Sequence, residues 1–105
     1  MKKLFIAAFM FVSSFGTNVM ADGHAIKMGI ILGFTGPIES LTPAMAASAE
    51  LAFKEASDSG SLLGGKKIEV VRADSTCVDS AAATAAAEGV ISQGVAAIMG
   101  ADCSG

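Results

Sequence analysis

Val95-Ala96-Ala97-Ile98-Met99-Gly100-Ala101-Asp102-Cys103-Ser104-Gly105 runs from apolar residues into small and polar ones. Its first five residues are a short continuous apolar run, the pattern of a strand buried in a sheet. The rest is small and polar, with one thiol and one hydroxyl. In open α/β sheets, ligands bind outside the carboxyl ends of the strands, often where backbone N–H groups open the next helix. A serine in that place suits a carboxylate or another small anion. Ser104 could equally cap a helix after a plain strand-to-helix turn. The residues upstream have to separate these two readings.

Immediately before the stretch, Ser80 to Gln93 is rich in Ala, the best helix former. Asp79 stands where an N-cap belongs and Gly94 where a helix stops. Val90 and Ile91 give this helix an apolar edge, and Gly89 is expected to mark close contact with the sheet. Further back, Ile68-Glu69-Val70-Val71-Arg72-Ala73 reads as a strand. Glu69 and Arg72 point to an exposed end or edge. The loop Asp74-Ser75-Thr76-Cys77-Val78 comes next, at its carboxyl end.

Another helix is expected from Thr42-Pro43 to Asp58, with Thr42 as N-cap and Pro43 at the first helical position. Met45, Ala49, Ala52, Phe53 and Ala56 recur at helical spacing, so Met45 and Phe53 are expected in the core. Glu50 and Lys54 form an i,i+4 pair on the outer side. The Lys66-Lys67 pair before the second strand is read as solvated. Gly60 to Lys66 has the spacing that opens a phosphate loop, but Lys67 replaces the needed Ser or Thr and a helix precedes instead of a strand.

The first strand is Ile26-Lys27-Met28-Gly29-Ile30-Ile31-Leu32, almost continuously apolar, as a strand covered on both faces must be. Gly33-Phe34-Thr35-Gly36-Pro37 turns the chain at its carboxyl end. Gly29, Gly33 and Gly36 do not match the spacing of a dinucleotide fingerprint. The order is strand, helix, strand, helix, strand. Right-handed crossovers then give an α/β fold with a parallel, doubly wound sheet. Cys77, Cys103, Ser104 and Thr35-Gly36-Pro37 all fall on one rim of it.

The N-terminus reads as an export signal. Lys2-Lys3, the apolar Leu4 to Val12, and Val19-Met20-Ala21 stand in the order of a signal peptide cut between Ala21 and Asp22. The apolar run is too short to span a bilayer. Residues 1–21 are thus read as a leader, and residues 22–105 as the mature part, a fragment of a larger protein expected to be exported to a bacterial periplasm. The mature part carries five basic residues against all ten acidic ones, a net charge of −5. That balance argues against nucleic acid and anionic membranes as partners. Two cysteines in an exported chain are most simply a disulfide. Closing their 26-residue separation would contribute about 3.5 kcal/mol. Metal binding needs more ligands than two thiols and a distant His24, and no cofactor motif is present.

Taken together, the leader, Ile26–Leu32, Phe34-Thr35-Gly36-Pro37, Gly64-Gly65-Lys66, Asp74-Ser75-Thr76-Cys77 and Gly100-Ala101-Asp102-Cys103-Ser104 resemble the start of a type I periplasmic solute-binding protein. The group it is similar to is the branched-chain amino acid (leucine/isoleucine/valine) binders that serve ATP-driven importers. The resemblance implies two α/β lobes joined by a hinge, with the ligand between them, of which this chain supplies the first three strands. It implies a Cys77–Cys103 disulfide and places Ser104, flanked by Cys103 and Asp102, on the carboxylate of a bound amino acid. The loop after Pro37 borders the side-chain pocket; there Leu41 stands where binders of this group often carry an aromatic residue. Asp102 stands where an apolar residue is common, and its charge would repel a carboxylate unless it turns away or meets a cationic group.

The function so implied is a binding component of an ABC importer that takes an amino acid or related small polar solute, with a membrane permease as partner. A sensory ectodomain or regulator of the same fold is the alternative. An exported enzyme finds no support, since no nucleophile is paired with a base in this sequence.

Overall fold

The computed structural model describes residues 24–104. The leader and its Ala21–Asp22 cleavage point lie outside the described residues. Three strands form one parallel sheet: β1 (Ile26–Leu32), β2 (Ile68–Asp74) and β3 (Ala97–Met99), in the order β2-β1-β3. Register runs from Ile26 opposite Ile68 to Leu32 opposite Asp74, and from Met28 opposite Ala97 to Ile30 opposite Met99. The expected α/β parallel sheet is therefore present, with the first strand central. β3 begins two residues later than the apolar run, although the Ala96 N–H still donates to the Lys27 carbonyl at 2.8 Å.

Alternation along β1 sends its side chains to two opposite helices. Ile30 and Leu32 pack with Ala46 of α1 (Thr42–Asp58), joined by Phe34, Ala49, Phe53, Val70 and Met99. On the other face, Gly29 meets Val90 of α2 (Ser80–Ser92). Ile30, Leu32 and Val90 are fully buried. Burying each such side chain contributes roughly 1.5–3 kcal/mol, so β1 is the backbone of the core.

Several sequence expectations are corrected by this packing. Met45 is exposed, because the buried stripe of α1 runs through Thr42, Ala46, Ala49, Phe53 and Ser57, one residue round the helix. Thr42 is not the N-cap. Leu41 holds that position, and Thr42 is the first helical residue, fully buried, with its hydroxyl donating to the Gly33 carbonyl at 3.1 Å. Pro43 still lies in the first turn, where a missing N–H costs nothing. Glu50 does not pair with Lys54. It takes both nitrogens of the Arg72 fork on β2, at 2.6 and 2.8 Å, while Lys54 pairs with Asp58. A planar guanidinium matches a carboxylate bidentately, which a lysine cannot do. Arg72 also lies over the Phe34 ring, 5.4 Å from its centroid.

Nor does Gly89 touch the sheet: a Cβ there would meet open space. The close approach is at Gly29, where an added Cβ would lie 3.1 Å from Ile98 and 3.5 Å from Val90. Lys67 is not simply solvated, since its ammonium donates to the Ser57 carbonyl at 3.0 Å. Asp79 caps α2 as expected, accepting from the N–H groups of Ala81 and Ala82 at 2.8 and 3.2 Å. Gly94 ends that helix in the left-handed region, at φ +77°.

Candidate functional site at the carboxyl rim

Three loops leave the carboxyl ends of the strands: residues 33–41, 75–79 and 100–104. Each is tied to the other two. Asp74, the last residue of β2, accepts from the Thr35 hydroxyl at 2.6 Å and from the Thr35 N–H at 3.3 Å. Its Oδ1 also accepts from the Thr76 N–H at 2.8 Å, closing an Asx-type turn. The Thr35 hydroxyl, together with the N–H groups of Thr76 and Thr35, holds the Asp74 carboxyl below the usual carboxylate range against the opposing push of burial. This turn carries Thr76 and Cys77 at φ +58° and +69°, a region that costs a β-branched residue energy and persists only where its surroundings fix it.

The turn delivers Cys77 to Cys103. The two are disulfide-bonded, with their Cα atoms 5.3 Å apart. The bridge therefore links the β2 loop to the stretch beyond β3, crossing over the end of β1. Gly33 sits beneath it. An added Cβ on Gly33 would lie 2.9 Å from the Cys77 Cβ, so the bridge passes where a side chain would be. The third tie is Asp102, both of whose oxygens accept from the Gly33 N–H at 3.1 Å. A small open cleft of about 50 Å³ is lined by Ser75, Cys77, Asp79, Ala83, Ala101 and Cys103.

Of the residues singled out in the sequence, Cys103 and Asp102 are half-buried and drawn into these ties. Ser104 comes after them and is exposed. Leu41 lies at the start of α1, with its side chain 60% exposed and its backbone held by Ile38 and Met45. The hub residues Asp74, Thr35 and Gly33 read in the sequence as ordinary loop. The one signal for them is the Asp-x-Thr spacing at a strand's end, which favours an Asx turn.

A parallel sheet with helices on both faces and three pinned loops at one rim is the architecture of an α/β ligand-binding lobe. Residues 25–105 match the family model of the periplasmic binding proteins, and the chain belongs to that family. No curated protein matches it. Membership carries a solute-binding role with a small-molecule ligand, in a family that is typically non-enzymatic and whose name points to the periplasm.

Proposed function

We propose that this chain is the first part of the substrate-binding component of an ABC importer. Residues 1–21 are its export leader and residues 22–105 the opening part of its first lobe. It captures an amino acid or a related small polar solute between two lobes and hands it to a membrane permease. The observation that carries this reading is the rim itself, where Asp74, the Cys77–Cys103 bridge and Asp102 pin three loops around one edge. A site that must hold a ligand in one geometry needs such support from the residues behind it.

On this reading Ser104 meets the ligand carboxylate through its hydroxyl and backbone N–H. Cys103 and Asp102, just before it, tie the segment that carries it to the neighbouring loops. Leu41, exposed at the start of α1, borders the side-chain pocket.

Calorimetric titration of the full-length protein with a panel of amino acids, amides and amines tests this. The expected result is one-to-one binding of a solute that carries both a carboxylate and an ammonium group. Binding only of amines lacking a carboxylate, or of nothing in the panel, would overturn the amino-acid assignment.

A further inference from the structure

We infer that Asp102 is a positioning residue that aims Ser104 by gripping the backbone N–H of Gly33; the inference rests on the binding role proposed for the rim. Beyond Met99 the chain leaves the sheet. Met99 is the last residue of β3 in register with β1, and residues 100–104 form no regular element. Ser104 therefore stands five residues past the last ladder contact, and the chain between must be fixed in some other way.

Two consecutive residues fix it. Cys103 is bonded to Cys77 in the β2 loop. Asp102 is bonded to Gly33 at the end of β1, across 69 residues of sequence. One anchor alone would leave the segment free to swing about it. Two anchors on neighbouring residues, reaching different loops, set the direction in which Ser104 leaves. The Gly33 peptide is itself a firm post: it is buried, its carbonyl accepts the buried Thr42 hydroxyl at 3.1 Å, and its Cα lies under the bridge.

The same contact gives the anionic side chain beside Ser104 a partner within the lobe, which lessens the repulsion of a ligand carboxylate without removing the charge. Both carboxylate oxygens are turned to a backbone donor, and a hydrogen bond to an ionised group is stronger than a neutral one. Asp102 thus acts on the ligand through Ser104. What the position requires is an acceptor; a negative charge is not needed.

This separates two variants. Asp102→Asn keeps a side-chain oxygen that can accept from Gly33, while Asp102→Ala keeps none. In the full chain, amide exchange at Gly33 read by NMR should accelerate about tenfold or more in Asp102→Ala and stay within about threefold of wild type in Asp102→Asn. Titration with L-leucine should give an affinity about tenfold weaker for Asp102→Ala and within about twofold for Asp102→Asn.

Unchanged Gly33 exchange in Asp102→Ala would overturn the inference. So would an Asp102→Asn that loses affinity as fully as the alanine variant while Gly33 stays protected, since that pattern means the charge meets the ligand directly. Wild-type protein that ignores L-leucine yet shows the expected exchange pattern at Gly33 would count against the branched-chain reading and uphold the brace.

Discussion

A concavity larger than the one at the rim lies elsewhere on the described surface. It is a groove of about 470 Å³ along the outer edge of the sheet, lined by Glu50, Phe53, Lys54, Ser57, Asp58, Lys67, Ile68 and Val70. The cleft at the rim is about a tenth of that size. The two regions differ more in how they are held. Around the groove, Glu50 meets Arg72 and Asp58 meets Lys54 and Lys67, all as exposed or half-exposed pairs. Such pairs contribute little and are weakened by salt. At the rim, a covalent bridge and two carboxylates grip backbone N–H groups across 26, 39 and 69 residues of sequence. Volume marks where an edge strand and a helix fail to cover each other. Cross-bracing marks where the geometry of loops has been specified.

The comparison can be broken most forcefully at the bridge. Replacing Cys77 and Cys103 together by Ser should lower the stability of the full chain by about 3.5 kcal/mol, from loop-closure entropy alone. Urea unfolding of the variant against the oxidised wild type measures this. A loss below about 1 kcal/mol would mean that the hydrogen bonds hold the rim without the bridge.

Asp74 comes next. Asp74→Ala strands the N–H groups of Thr35 and Thr76 at a half-exposed site and should cost about 1–2 kcal/mol, toward the lower end of hydrogen bonds to charged groups. The effect has a pH signature. The Asp74 carboxyl is held low in the folded state, so the unfolded state binds its proton more readily. Its contribution is fully present above the unfolded value of about 3.9 and is lost as pH falls through the lower folded value. Acid titration of stability should therefore show a shallower fall in Asp74→Asn than in wild type. An identical acid limb would remove Asp74 from the brace.

The groove should respond least. The Glu50 carboxyl is held low chiefly by its hydrogen bonds to Arg72, yet the Glu50 and Arg72 side chains are 34% and 45% exposed, so solvent screens most of the pair. A double-mutant cycle with Glu50→Gln and Arg72→Met should return a coupling of about 0.2–1 kcal/mol, smaller again in high salt. A coupling as large as the Asp74 effect would erase the contrast between the two regions.

Much of this fold is legible in the sequence because β1 is nearly all apolar and short, bounded by glycine and proline, as a strand covered on both faces is. Asp79, Gly94 and the paired cysteines then punctuate the chain beyond β2. Three α1 assignments fail, each for its own reason. Periodicity fixes a helix's rotation only to within a residue, so it puts Met45 inside; a Thr before a Pro is equally at home one position into the helix, where Thr42 stands; and the partner Glu50 takes, Arg72, is remote in sequence. Gly89 takes the credit for a close contact that belongs to Gly29, because a glycine's reason lies in its neighbours and those are remote in sequence. The rim is half legible. Cys103 and Asp102 can be put at the end of a strand, but the Gly33 N–H that Asp102 grips has no side-chain signature at all. Long-range pairing of a carboxylate with a backbone donor depends on sheet register, and register is set by the whole fold.

We propose that solute binding belongs to the rim and not to the larger groove. Titration calorimetry of the full-length protein with L-leucine, comparing wild type with Ser104→Ala and with Lys67→Ala, tests it most directly. Ser104→Ala removes a hydrogen bond to a charged ligand group worth about 1.5–3 kcal/mol, so affinity should fall by roughly one to two powers of ten. Lys67→Ala, in the groove, should leave it unchanged. Unaltered affinity in Ser104→Ala together with a loss in Lys67→Ala would move the site to the edge of the sheet and contradict the account.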